Sequence, residues 1–329
     1  MLPDIKSGII FICTGEPSGD EFAGLIINAH FKKNPSRTII GVGGQAMKNA
    51  GARLIMRHEK MMVFGLQNFF SSFFRSIDIY RRIGRMIYRQ TPEMFIGIGY
   101  PGINLLLCRY ARRLSCKTYL FMPPQIWAWG DFRKYFIRKW VDYSITVFPF
   151  EFRYYLRKHL NAEYIVHPLI NILKKIARSD QKKRIGFMPG SRQSQLKRHL
   201  PVIDKLIHVM RGRHSEYEFC IILHPDTGLD IPTVADRILN ENRYQAMKNC
   251  DLIITTSGTA SLEAAFLGVP QIFFHIPSFV DMHFFRHFVR IKEYNLANLY
   301  FGEKIVPKII SRNQEKIINK VLGFFGDGA

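Results

Sequence analysis

Acids are scarce in this chain. Its 329 residues hold 26 Asp and Glu against 47 Lys and Arg, a net charge of +21. That imbalance implies an anionic partner: a nucleic acid, a membrane surface or a phosphorylated substrate. Cysteine is also sparse. The five, at 13, 108, 116, 220 and 250, form no CxxC pair and no metal-ligand spacing, which fits a reducing compartment. No uncharged apolar run reaches the ~20 residues a spanning helix needs. The longest candidate, 94–107, is broken by glycines, Pro101 and Asn104. The opening MLPDIKSGIIFICTG lacks the basic start and long apolar core of a signal peptide. A GxSxG elbow, a P-loop and HExxH are missing too. His283 and His287 stand four apart without an acid ligand, so no metal site is expected.

What is present is an alternation. Short apolar runs at 7–15, 37–44, 94–99, 118–122, 144–149 and 163–167 read as strands, with helical segments such as 21–33 and 68–90 between them. The pattern restarts at 183–192 and continues through 219–224, 251–259 and 270–275. Alternation of this kind predicts open, mostly parallel sheets flanked by helices. The expected architecture is α/β: two Rossmann-like doubly wound domains facing a cleft, 1–172 and 173–329. The polar stretch 171–182 is the expected joint.

Three turns suit anions. FICTGEPSGD (11–20) runs from a strand through a glycine-bearing loop into a helix, where free backbone amides attract negative charge. Glu16 and Asp20 beside that turn suit acid–base work or hydroxyl binding. MPGSR (188–192) repeats the arrangement, with Ser191 and the fork of Arg192 suited to a diphosphate. TTSGTASLEAA (255–265) places Ser257, Gly258 and Thr259 at a helix start, with Glu263 one turn on. Bulky aromatics interleave with cations in 123–140, which holds all three tryptophans, in 63–89 and in 285–292. These segments read either as core or as an interfacial layer at lipid headgroups. No RNA-binding motif accompanies them, so nucleic acid is not expected.

Read in order, GEPSGD, GVGGQAMKNAG (41–51), PPQIWAWG (123–130), FPFE (148–151), HPL (167–169), PGSR (189–192), SGTASLE (257–263) and NLANL (295–299) resemble the lipid-A-disaccharide synthase family. These are inverting glycosyltransferases of the two-Rossmann-domain (GT-B) type. The resemblance spans nearly the whole chain. It implies transfer of 2,3-diacylglucosamine from UDP-2,3-diacylglucosamine to diacylglucosamine 1-phosphate (lipid X), releasing UDP. It implies no metal or nicotinamide cofactor, and a cytoplasmic protein peripheral to the inner membrane on an anionic surface. A homodimer is compatible with it. Carried over by position, Ser191, Arg192, Ser257, Gly258, Thr259, Glu263 and Asn298 would line the UDP site. Ser18, Asn104, Gln125, Trp127 and His167 would face the acceptor.

The chain departs from the family pattern where chemistry is expected. Gly99, in IGIGYPGIN (96–104), stands where the family usually has an aspartate suited to activating the acceptor hydroxyl. Asn171 replaces a usual Asp, and Gln193–Gln195 a common Glu. Glu16 or Asp20 is then the expected base. The competing expectations are a UDP-sugar 2-epimerase-like isomerase and a non-catalytic binder of anionic lipid.

Overall fold

A computed structural model describes residues 8–31, 36–61, 69–128, 130–190, 193–223, 231–278, 293 and 295–325. The chain divides into two compact units, Met1–Val166 and His167–Ala329.

In the first unit the strands are β1 (Gly8–Thr14), β2 (Arg37–Gly43), β3 (Arg53–Arg57), β4 (Met94–Ile98), β5 (Lys117–Phe121), β6 (Tyr143–Thr146) and β7 (Ala162–Tyr164). They form one sheet in the order β3-β2-β1-β4-β5-β6-β7, parallel throughout, with Ile12 opposite Ile96 across the β1–β4 pair. The helices are α1 (Pro17–Ile26), α2 (Gln45–Asn49), α3 (Phe69–Gln90), α4 (Pro101–Arg113), α5 (Arg133–Trp140) and α6 (Pro149–Arg157). Central strands of a parallel sheet are covered on both faces and carry continuous apolar runs. Phe11 and Phe95 stack in that core beneath Ile83, Ile87, Leu107, Ala111 and Ile137 of α3, α4 and α5.

The second unit repeats the plan. Its strands β8 (Arg184–Met188), β9 (Glu218–Ile222), β10 (Arg237–Leu239), β11 (Leu252–Thr255), β12 (Gln271–His275) and β13 (Lys308–Ile310) lie in the order β10-β9-β8-β11-β12-β13. All are parallel. Its helices are α7 (Pro168–Leu173), α8 (Gln193–Arg213), α9 (Arg243–Lys248), α10 (Gly258–Leu267), α11 (Leu296–Phe301) and α12 (Gln314–Gly323).

Each sheet has a topological switch point, where successive strands run off in opposite directions. It falls between β1 and β4 in the first and between β8 and β11 in the second. Ligands of open α/β sheets bind at the carboxyl edge beside such a point.

Three strands were not expected from the pattern: β3, β10 and β13. All lie at sheet edges, where one side of the strand has no neighbour and charged residues such as Arg53, Arg57 and Arg237 are tolerated. The stretch after Ile98 is also more regular than a loop, because Pro101 fills the first turn of α4. The polar stretch 171–182 is laced onto the second unit rather than strung as a joint. Arg178 Nη1 meets Asp251 Oδ1 at 2.6 Å, and Ser179 N–H donates to Asn249 Oδ1 at 2.9 Å. Among the described residues, no helix is long and apolar enough to cross a membrane.

Candidate functional site

At the carboxyl edge of the first sheet, β1 leads through Gly15 and Glu16 into α1, and β4 leads through Gly99 and Tyr100 into α4. Gly99 has φ +58°, a left-handed conformation that glycine adopts at little cost. A Cβ built there would lie 2.6 Å from Glu16 Oε1. The Glu16 carboxylate therefore occupies the space a side chain at 99 would need. The Tyr100 ring packs as closely on Gly15, where a Cβ would stand 2.5 Å from its Cγ. Burial, and then the Glu16 charge, push the Tyr100 phenol above its ordinary value. Glu16 is half-buried at the N-cap of α1, and Ser18, two residues on, is exposed.

Asp20 has a different task. Its Oδ1 accepts from Gly44 N at 2.6 Å and Met47 N at 3.2 Å, and its Oδ2 from Ala46 N at 2.8 Å. Three amides at the start of α2 hold this buried carboxylate, a cap rather than a base. Asn104 is also buried, not facing outward. Its Nδ2 donates to Gly99 O at 2.8 Å and Cys13 O at 3.2 Å, pinning the Gly99 turn to the end of β1.

The loop after β5 carries Gln125, exposed, and Trp127, buried. Trp127 Nε1 donates to Glu151 Oε1 at 2.9 Å, and its ring meets Phe150 edge-on at 4.7 Å. Burial pushes the Glu151 carboxyl up to about 8, against a smaller lowering by the Trp127 bond. Tyr155 OH donates to Pro124 O at 2.7 Å. Glu151 and Tyr155, both on α6, thus brace the loop from below. Glu151 lies inside the quoted FPFE stretch, yet nothing in its spacing marks it as a buried support.

In the second unit, β8 leads into Pro189–Gly190 and β11 into Thr256–Ser257, on the two sides of the switch point. Thr256 donates to Met188 O at 3.1 Å from its backbone nitrogen and again from Oγ1, fixing the two strand ends together. Ser257 is the N-cap of α10, and Thr259 is exposed in its first turn. The orphan amides of that turn suit a diphosphate. Ser191 and Arg192 lie outside the described residues, as do His283, His287 and the segment 285–292.

His199, on α8, escaped the sequence reading because a lone histidine in a helix carries no signal. It is buried and bridges two strand ends. Nδ1 is 2.8 Å from Pro189 O, and Nε2 accepts from Ile276 N at 3.4 Å. Burial lowers its pKa to about 4, so the ring is neutral, with Nδ1–H donating.

Glu263 and Asn298, expected at the UDP site, and His167, expected to face the acceptor, are engaged within the unit. Glu263 is buried and takes Arg243 Nη2 at 2.5 Å on Oε1. Asn298 clasps Val306, donating from Nδ2 to its O at 3.0 Å and accepting from its N at 2.8 Å on Oδ1. His167 caps α7, accepting from Leu169 N at 3.4 Å, and burial lowers its pKa to about 4. It packs beside Phe266 of α10. The geometry so far is that of two doubly wound units, each with an edge prepared at its switch point.

A family model described as lipid-A-disaccharide synthetase matches residues 10–323. The chain belongs to this family. The lipid-A-disaccharide synthase of Geobacter sulfurreducens is 28% identical over 323 residues, covering 92% of this chain and 83% of that one. The Nitrosococcus oceani enzyme of the same name is 27% identical, covering 97% and 87%. Among solved structures, the Neisseria meningitidis UDP-GlcNAc 2-epimerase bound to UDP-GlcNAc superimposes with a TM-score of 0.66 at 11% identity. It covers 97% of this chain and 91% of its own. A structure described as the glycotransferase of kitacinnamycin gives 0.59 at 11% identity, covering 98% and 91%. At such identities these two share the fold alone. The family places the chain among GT-B glycosyltransferases of lipid A synthesis. The stretches GEPSGD, GVGGQAMKNAG, FPFE and SGTASLE fall at the strand ends and helix starts just described. Among the described residues, no cluster of three or more His, Cys, Asp or Glu could hold a metal ion, and the five cysteines are buried and unpaired.

Proposed function

We propose that the protein transfers 2,3-diacylglucosamine from UDP to 2,3-diacylglucosamine 1-phosphate with inversion, with Glu16 as the general base. The observation that carries this is the Glu16 carboxylate standing in the space above Gly99, at the switch point of the first sheet. Glu16 takes the proton of an acceptor hydroxyl as its oxygen bonds to the donor's anomeric carbon. The bond from that carbon to the UDP oxygen breaks, and the electron pair leaves on the diphosphate. The charge developing there needs fixed donors. The α10 amide cluster with Ser257 and Thr259 supports that role, with Ser191 and Arg192 completing it. Ser18 and Gln125, both exposed near the acidic turn in sequence or at the same sheet edge, supply polar contacts to the acceptor. Asp20, Asn104, Trp127, Glu263, Asn298 and His167 act through the loops they brace. The basic surface suits a phosphorylated lipid acceptor and a peripheral place at the cytoplasmic face of the inner membrane.

The test is UDP release by purified protein given UDP-2,3-diacylglucosamine, with and without the monophosphate acceptor. Release that requires the acceptor supports the transferase. The likeness to UDP-GlcNAc 2-epimerases favours one alternative, an isomerase, and a changed sugar epimer formed without acceptor would establish it instead.

A further inference from the structure

On the first unit, α3, α4 and α5 pack side by side over one face of the sheet. In sequence they carry five, three and four Lys or Arg residues, against one acid, Asp78. Where α4 and α5 end, a pocket of about 650 Å³ opens, lined by Arg109, Arg112, Arg113, Phe136, Lys139 and Trp140. The Trp140 ring stacks on Phe136 at 4.8 Å and lies 5.7 Å from the Arg109 guanidinium carbon. Asp142 neutralises Arg112 at 2.5 Å. Among the described residues, no acid pairs with Arg109, Arg113 or Lys139.

Cations at helix C-termini offset the negative end of the helix dipole. That accounts for one or two such residues, but not for a concave cluster with an aromatic wall. The pocket is also remote from the proposed chemistry. Helices of a parallel α/β sheet run against the strands, so the ends of α4 and α5 lie at the amino edge, beside the starts of β5 and β6. Glu16 lies at the carboxyl edge, and the five residues of β5 span about 16 Å between the two edges.

We propose that this pocket docks the phosphate of an anionic membrane lipid. The guanidinium groups suit a phosphodiester. Beside the pocket Phe132 and Tyr135 are 59% and 61% exposed, and amphipathic aromatic rings favour the headgroup layer. The site lies outside the transfer reaction and would hold the α3–α5 face against the bilayer.

The test is flotation with vesicles of phosphatidylglycerol in phosphatidylcholine, and with phosphatidylcholine alone. The proteins are the wild type, Arg109→Gln/Arg113→Gln, Lys139→Gln and a charge-matched control, Lys316→Gln/Lys320→Gln, on α12. All five positions are exposed, and thermal unfolding checks that each variant folds. Vesicle affinity falls about 5-fold per pocket cation removed, so about 25-fold for the arginine pair, and hardly at all for the control. Equal losses in pocket and control variants would reduce the effect to net charge and overturn the proposal. So would wild-type binding by the arginine pair variant. Glycerol 3-phosphate bound as tightly as the vesicles, with the same losses, would make the ligand a soluble phosphate. Tighter binding of single-stranded RNA would likewise overturn it.

Discussion

Glu16 and Gly99 compete for one volume. An aspartate at 99 would meet Glu16 Oε1 where its own Cβ belongs, so the flexible end of Glu16 would have to swing aside and Asp would have to take the left-handed φ of +58°. Gly99→Asp alone therefore lowers thermal stability, by about 1–3 kcal/mol. In Glu16→Ala the space is empty, and Asp tolerates a left-handed φ better than most residues. Glu16→Ala/Gly99→Asp should recover at least about tenfold of the acceptor-dependent UDP release lost in Glu16→Ala, a base being worth ~10²–10⁴-fold. No recovery would mean the two positions do not share a role. The acid at 16 and the gap at 99 were both readable in the chain. Their contact was not, because 83 positions separate them and only the pairing of β1 with β4 brings them together. Asp20 shows the opposite failure, since an acid at a glycine turn looks equally catalytic until the amides of Gly44, Ala46 and Met47 are placed around it.

Glu151 adds a prediction in pH. Its folded value of about 8 lies above the ordinary 4.5, so the folded state keeps a proton that the unfolded state has lost. The stability this group contributes is complete below about pH 4 and is lost as pH rises through 8. His167 and His199, both lowered to about 4, act in the other sense, with stability gained as pH rises from 4 towards 6.5. Comparing wild type with Glu151→Gln cancels the histidines. The variant's relative stability, from urea unfolding, should rise between pH 5 and 8.5. A constant difference would show that Glu151 is already ionised at pH 5.

At the scale of elements, α10 is held by what packs beneath it as well as by its own sequence. Glu263 is 4% exposed and depends on Arg243 at the start of α9 for its counter-charge. Removing one partner of a buried ion pair leaves an uncompensated charge and typically costs ~3–5 kcal/mol. Arg243→Met should lower unfolding stability by that amount, and Arg243→Met/Glu263→Gln by less. A double variant no better than the single would remove the ion pair from the account. The motif SGTASLE marked the helix start, but nothing near Glu263 in sequence pointed to Arg243, twenty residues upstream. The buried central strands were legible as apolar runs. The edge strands β3, β10 and β13 were not, because Arg53, Arg57, Arg237 and Lys308 interrupt their short apolar runs. His199 was invisible for a related reason: its role is a span between Pro189 and Ile276, and a span exists only after folding.

For the whole molecule, a net charge of +21 told of an anionic partner without saying where it binds. Folding gathers part of that charge on the α3–α5 face, and it separates two uses of anion recognition. One is the turn at α10, suited to a diphosphate leaving group. The other is the pocket between the ends of α4 and α5, at the amino edge of the first sheet. No aspartate stands at Gly99, and the Glu16 carboxylate fills that space, where our proposal gives it the part of the base.

That substitution is tested most directly by single-turnover UDP release from UDP-2,3-diacylglucosamine plus monophosphate acceptor, comparing wild type with Glu16→Gln. The amide keeps the size of the side chain and removes its ability to take a proton. With Glu16 as the base, the variant is about 10²–10⁴-fold slower, with UDP affinity unchanged. Acceptor-dependent release at the wild-type rate would contradict it.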